Sequence, residues 1–513
     1  MDSQDEASMQ ATGAEMVAFL NEAWTAYHAV AAVKRRLRAA GFVEILERDA
    51  WSLAPGGKYF YTRNQSAIVA FAVGGKYVRG NGITSIGAHT DSPCPKLKPN
   101  PHKEAAGYVQ IGLQTYGGGL WHTWFDRDLG IAGRVIVRRP GGKLSHELVK
   151  IDRPILRIPN LAIHLETAEE RAAFKVNKET HLPAVLASSF KAQLGGAAAA
   201  AAPAAAATEE GEPEPKRQQV GPKGGSSRAA KQQPTLLLSL LSEELQCAPA
   251  DIADLELQLC PVEPSAIGGA RREFIFSGRL DNLASCFCAT KALVACAEES
   301  SLAAEANVRM IALFDHEEVG SCSAHGAGST IMPEAIKRIA LALGGGEGGE
   351  GGEGGAAAVG DREGLVERVI RRSFLVSADM AHGVHPNYAA KHEANHGPAI
   401  HGGQVIKQNA NQRYATDAVS AFLFRELGEK AGCPVQEFVV RSDCGCGSTI
   451  GPMLSALTGI KTVDVGAPML SMHSIREMCG VDDVTYTVEH FKAVFEGFVA
   501  LEASLQVDGA DAE

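Results

Sequence analysis

Short, almost wholly apolar runs recur along the chain at residues 83–87, 274–276, 310–314, 374–376 and 462–465. Runs of this length between helical stretches have the pattern of strands buried on both faces of an α/β sheet. Helical spacing marks other segments. Val17, Leu20, Ala23, Tyr27, Val30 and Val33 predict one helix from about 13 to 40, stopped by Gly41. Further strands are expected at 66–73 and 82–87, with Gly74-Gly75 as the turn between them, and further helices at 282–297, 416–427 and 488–501.

Between about 96 and 255 the pattern changes. Strand-like pieces at 109–115 and 133–137 give way to 155–165 and then to a low-complexity tract, 195–233, of alanine runs broken by prolines, charges and glycines. A second tract, 344–355, is almost entirely Gly and Glu. Both have the composition of surface insertions without chemistry. The expected organisation is one α/β domain in two segments, 1–95 and 256–513, interrupted by an inserted domain at 96–255.

Composition narrows the class. The 513 residues are 45% hydrophobic with a mean hydropathy of -0.05, values of a soluble globular chain. No apolar stretch has the length of a bilayer span, so no membrane partner is expected. The net charge of -11 argues against a nucleic-acid partner, which needs a basic surface. The acidic start, Met1-Asp2-Ser3-Gln4-Asp5-Glu6, lacks the order of a signal or transit peptide, and a cytoplasmic location is expected. Eleven cysteines are not disulfide-dense in so long a chain. Cys286/Cys288 and Cys444/Cys446 lack zinc-finger spacing and are read as reduced thiols.

Acids and histidines stand where the apolar runs end. His89, Asp281, Glu317-Glu318, Asp379 and His473 are each read as following a run, so five strands would bring two imidazoles and four carboxylates to one sheet edge. Ligands gather at the carboxyl ends of such strands, and this is the donor list of a two-metal hydrolase. Taken alone, His89 could be a structural histidine and Asp281 the cap of the following helix. In Gly87-Ala88-His89-Thr90-Asp91-Ser92, however, Asp91 is suited to hold the second ring nitrogen of His89. The adjacent acids Glu317 and Glu318 would repel each other without a cation unless fully solvated. At a two-metal site one ligates while the other takes a proton from water. Mixed imidazole and carboxylate donors favour zinc, with manganese or cobalt as substitutes.

Several local sequences resemble the aspartyl aminopeptidase family. They are Gly87-Ala88-His89-Thr90-Asp91-Ser92-Pro93-Cys94, Gly117-Gly118-Gly119-Leu120-Trp121, Trp124-Phe125-Asp126-Arg127-Asp128-Leu129 and Arg279-Leu280-Asp281-Asn282. Glu317-Glu318-Val319-Gly320-Ser321, Ser377-Ala378-Asp379-Met380-Ala381-His382 and Met472-His473-Ser474-Ile475-Arg476-Glu477 complete the set, which spans about 15 to 505 apart from the two tracts.

The resemblance implies a mixed-sheet α/β catalytic domain with an inserted, β-rich dimerisation domain. It implies release of N-terminal Asp or Glu from peptides through a metal-bridging water. His89 and Asp379 would bind one zinc, Glu318 and His473 the other, with Asp281 bridging. Glu317 would be the general base and Asp91 would orient His89. Twelve subunits, built from dimers, would form a tetrahedral shell. In it His164 would reach a neighbour's site and stabilise the oxyanion, while Lys407 and Tyr414 would line the substrate pocket. A buried lysine there would reward an acidic substrate side chain.

Two departures from the family pattern stand out. His316 takes the place of the usual asparagine, and Asp443-Cys444-Gly445-Cys446-Gly447 replaces Asp-Thr-Pro-Cys-Gly. Neither removes a ligand. The rival readings are a metallo-amidohydrolase that deacylates small N-acyl amino acids and a shell-forming scaffold without activity.

Overall fold

A computed structural model describes residues 3–192, 229, 232–343 and 363–507. Residues 195–228 of the alanine-rich tract and all of 344–355 lie outside the described residues. The chain folds as two compact units. One comprises residues 1–93, 117–120 and 264–513, the other 94–116 and 121–263.

The first unit is built on a nine-stranded mixed sheet. Its strand order is Val43–Glu44, Lys58–Arg63, Ala67–Val73, Val308–Phe314, Ile83–His89, Phe374–Ala378, Lys461–Gly466, Gln404–Gln408 and Val435–Val439. The four strands from Val308–Phe314 to Lys461–Gly466 run parallel. Every residue of Val308–Phe314, Ile83–His89 and Phe374–Ala378 is buried, Arg309, Thr84, Ser85 and Ser377 included, and their sequences read as largely apolar runs. Side chains still alternate. Ile311 and Leu313 enter one core with Ile86 and Val376, while Met310, Ala312 and Phe314 enter another with Leu375 on the opposite face.

Helices cover both faces. Leu280–Cys296, Ala418–Lys430 and Val481–Ala503 contribute to the first core, and Ile331–Ala342 and Ile450–Thr458 to the second. The single helix expected over 13–40 is two helices, Ser3–Glu22 and Ala26–Ala39. Apolar spacing runs through the break, but the Thr25 hydroxyl accepts a hydrogen bond from the backbone N–H of His28 and starts a new helix.

A separate five-stranded sheet, in the order Ala266–Gly268, Phe274–Ser277, Glu477–Gly480, Pro468–Leu470 and Ala381–His382, completes this unit. The run at 274–276 was expected in the main sheet. It lies instead in this small one, paired antiparallel with Glu477–Gly480.

The second unit carries a six-stranded antiparallel sheet ordered Leu144–Leu156, Leu129–Arg138, Ile252–Pro261, Cys94–Ala105, Tyr108–Tyr116 and Ala184–Ser188. Strand Ile252–Pro261 pairs with Leu129–Arg138 as far as Pro261, so this unit ends after Glu263.

Candidate metal centre

The centre lies at the carboxyl ends of the parallel strands of the first unit. His89 is the last residue of its strand, in register with Phe314 on the neighbouring strand. Beyond Phe314 the chain passes Asp315 and enters the left-handed region at His316 (φ 63°), which turns it into the short 3-10 helix Glu317–Val319. Asp379 directly follows strand Phe374–Ala378. A Cβ on Gly466 would lie 1.8 Å from the Asp379 carbonyl oxygen, so only glycine allows the two strand ends this close.

Asp281 and His473 arrive differently. Asp281 sits at the start of helix Leu280–Cys296, after the small-sheet strand Phe274–Ser277 and a left-handed Arg279 (φ 64°); its peptide to Asn282 is cis. His473 (φ 67°) occupies the turn between Pro468–Leu470 and Glu477–Gly480. It therefore follows a small-sheet strand and not the run at 462–465. The expectation of five strands at one edge is corrected to two sheets meeting.

These side chains converge in two triads that share Asp281. In the first, His89 Nε2 lies 3.3 Å from Asp281 Oδ1 and 3.5 Å from Asp379 Oδ1. In the second, His473 Nε2 lies 3.2 Å from Asp281 Oδ2 and 3.4 Å from Glu318 Oε2. Glu317 Oε2 is 4.0 Å from His89 Nε2. The outward nitrogens are held elsewhere: His473 Nδ1 is 3.1 Å from the Gly118 carbonyl, and His89 Nδ1 is 3.1 Å from the backbone oxygen of Asp91 and 3.4 Å from its Oδ1. The Asp91 carboxylate also accepts the backbone N–H groups of Glu317 and Glu318, each at 3.1 Å. It thus ties the histidine to the acidic turn.

The electrostatics suit cations. Burial pushes the carboxyl of Glu317 up to about 7 against the pull of His89, and Asp379 and Asp281 add to the rise. Burial and Asp281 likewise hold Glu318 well above the carboxylate range. Burial works against a charged His473, yet Asp281 and Glu318 beside it bring it up to about 10. Carboxylates so close cannot all ionise without positive charge among them. Asp281 Oδ1, Asp379 Oδ1 and Glu318 Oε1 are buried and accept no hydrogen bond, a costly state for an oxygen unless a metal satisfies it. The donor set fits two divalent ions.

The adjoining cavity, of about 310 Å³, is lined by Lys407, Tyr414, His382, Phe438 and Thr449 besides the acids. Lys407 is almost fully buried, with Nζ 3.3 Å from Asp379 Oδ2 and 5.5 Å from the Tyr414 ring centroid. His164 belongs to the other unit, where it is exposed in the 3-10 turn Ile163–Leu165. Cys286 and Cys288 are free and buried, and the Cys286 thiol donates to the His89 carbonyl at 2.9 Å. Cys444 is exposed and Cys446 half-buried, both free.

Sequence reasoning gave no role to three residues that hold this arrangement. Glu477 is fully buried and accepts the backbone N–H of His473 at 2.8 Å and of Asp281 at 3.3 Å, so one side chain fixes a ligand of each triad. Gly118 holds His473. Asp464 accepts the Thr449 hydroxyl and the N–H of Ala415, each at 2.6 Å, and so anchors the segment next to Tyr414. A charged residue inside an apolar strand run, as at Asp464, was the available signal.

Known proteins resemble the whole chain. A family model described as aminopeptidase I zinc metalloprotease (M18) matches residues 19–495. A Ricinus communis protein named probable aspartyl aminopeptidase is 52% identical over 498 residues, covering 96% of this chain and 97% of its own length. Among solved structures, the cryo-EM structure of the Ape4 and Nbr1 complex has a TM-score of 0.85 at 40% identity, over 98% of this chain and 89% of that one. The Saccharomyces cerevisiae mApe1 dodecamer has a TM-score of 0.77 at 27% identity, over 96% and 98%.

Proposed function

Because this chain belongs to the aminopeptidase I zinc metalloprotease family, M18, we propose that it releases N-terminal aspartate or glutamate from peptides, with two zinc ions shared across Asp281. It is a metallo-aminopeptidase, a hydrolase. The observation that carries the two-ion reading is the pair of triads joined at one buried carboxylate. His89 and Asp379 would hold one ion, Glu318 and His473 the other, and Asp281 both; manganese or cobalt could replace zinc. When bound, the zinc ions supply Lewis acidity, which polarises the scissile carbonyl and eases deprotonation of water.

The remaining work falls to the protein's own groups. Glu317, whose Oε2 lies 4.0 Å from His89 Nε2 beside both triads, takes the proton of the attacking water and returns it to the leaving amine. Asp91 keeps Glu317 in reach through the backbone hydrogen bond to its N–H, and it sits against His89 Nδ1. Lys407 offers the buried positive charge that an acidic substrate side chain would pair with, beside the wall formed by Tyr414.

The name of the Ricinus communis relative supports the acidic preference. The yeast dodecamer supports a homo-oligomer, read here as a dodecamer built from dimers through the second unit. In that assembly His164 would serve a neighbouring subunit's oxyanion. A cytoplasmic location accords with eleven free cysteines.

Hydrolysis of Asp-, Glu-, Leu- and Ala-p-nitroanilides, by metal-stripped and zinc-restored protein, tests the reading. Turnover restored by zinc and confined to the acidic pair is expected. Broad turnover would make the protein a general aminopeptidase, and cleavage of N-acyl amino acids instead would favour the amidohydrolase. Lys407→Ala should lower turnover of acidic substrates far more than of neutral ones; an equal loss would remove Lys407 from specificity.

A further inference from the structure

Asp315, His316 and His325 form a further group of potential ligands that shares no residue with those of the dinuclear centre. We propose that they bind a further divalent transition-metal ion, zinc being the best match, outside the dinuclear centre. Asp315 is buried at the end of strand Val308–Phe314, and its Oδ1 accepts the backbone N–H of His316 at 2.8 Å. Its other oxygen, Oδ2, faces His316 Nε2 at 3.6 Å and His325 Nε2 at 3.8 Å. Both distances are too long for hydrogen bonds. They are close to the spacing of donors around a tetrahedral zinc, roughly 3.3 Å for Zn–N bonds of about 2.0 Å. Asp315 Oδ2 and each ring nitrogen would need to close by only a few tenths of an ångström, and all three donors already lie within 4.8 Å of one another.

A neighbouring hydroxyl orients the ring of His316. His316 Nδ1 is 2.9 Å from the Ser323 hydroxyl, so a proton on Nδ1 leaves the Nε2 lone pair toward Asp315. The Asn64 side-chain amide nitrogen lies 3.4 Å from His325 Nε2, a contact that a bound ion would replace. The two rings meet at a centroid distance of 4.6 Å. Both histidines are partly exposed, with side-chain exposures of 23% and 18%, so an ion can enter and water can complete its coordination.

Such an ion would close a loop. His316 opens the turn that carries Glu317 and Glu318, and the backbone carbonyl of His325 already accepts the N–H of Asp315 at 3.1 Å. Linking the two rings to Asp315 would brace both ends of the segment bearing the proposed base. The site depends on His316, the residue that replaces the family's usual asparagine.

Zinc bound per chain, measured by elemental analysis after equilibration at saturating free zinc, decides it. His316→Asn and His325→Gln should each bind one ion fewer than the wild type while retaining the two ions of the dinuclear centre. Wild-type crystals soaked in zinc should show an anomalous peak at the zinc edge between Asp315, His316 and His325. Equal metal content in all three proteins, or no peak there at saturating zinc, overturns the proposal.

Discussion

The nine-stranded sheet and the small five-stranded sheet both deliver groups to the metal centre, and they do so by different means. In the large sheet His89, Asp379 and the Glu317-Glu318 turn sit at the ends of strands buried on both faces. Their positions follow from parallel register and core packing. In the small sheet Asp281 and His473 come from turns with left-handed residues, Arg279 and His473, and are fixed by hydrogen bonds to the single carboxylate of Glu477. One half of the centre rests on apolar burial, the other on a polar bracket. A core of that size tolerates a change remote from the ligands, whereas the bracket consists of a few polar contacts, of which Glu477 makes one to each ligand.

Substitutions of the acids separate the two halves most strongly. Asp281→Asn should weaken both ion sites, with turnover falling about 10³-fold or more, since even an outer partner of a ligand is worth about 10- to 100-fold. Asp379→Asn should weaken one site and leave the other able to bind metal. Equal metal loss in the two variants would contradict the sharing of Asp281. Metal analysis alongside activity distinguishes them.

Glu477→Gln comes next. Its amide nitrogen cannot accept the second backbone N–H, so metal affinity should fall by about 10- to 100-fold while the fold persists. Unchanged zinc affinity would mean that the small sheet is held by packing after all.

The smallest effect on turnover is expected in the core beside the large sheet. His490, on helix Val481–Ala503, is buried against Phe424 and pushed down to about 4, chiefly by burial, although it hydrogen-bonds the Phe424 carbonyl. Its unfolded value is near 6.5, so between pH 6.5 and 4 the unfolded chain binds the proton that the folded one refuses. Stability from this group is present above pH 6.5 and is lost as pH falls toward 4, by roughly 3 kcal/mol at most. Asp483 on the same helix is pushed by burial up to about 7 and has the opposite slope. The readout is therefore the difference in melting between wild type and His490→Gln, which should shrink on acidification. A difference independent of pH would mean that His490 is not buried neutral.

The contrast between the sheets also explains what could be read from sequence. The runs at 83–87, 310–314 and 374–376 are strands because each is buried on both faces, the polar Thr84 and Ser85 included. The run at 274–276 looked the same, yet it pairs in another sheet, since apolar length does not encode a partner. His473 was tied to the wrong strand for the same reason, and Thr25 broke a helix whose apolar spacing continues through it. The resemblance to known motifs supplied the ligand set, whose members the structure brings together around Asp281. Glu477 escaped a role because its contribution is two backbone hydrogen bonds, which leave no periodic trace.

Glu317→Gln tests the central claim most directly, with bound zinc and turnover of an N-terminal Asp substrate measured on one sample. Metal content should match the wild type, because Glu317 is assigned to neither ion, while turnover should fall about 10³-fold with the loss of the proton carrier. Turnover near the wild-type value with zinc in place would contradict the assignment of Glu317 as the base on which the proposed hydrolysis depends.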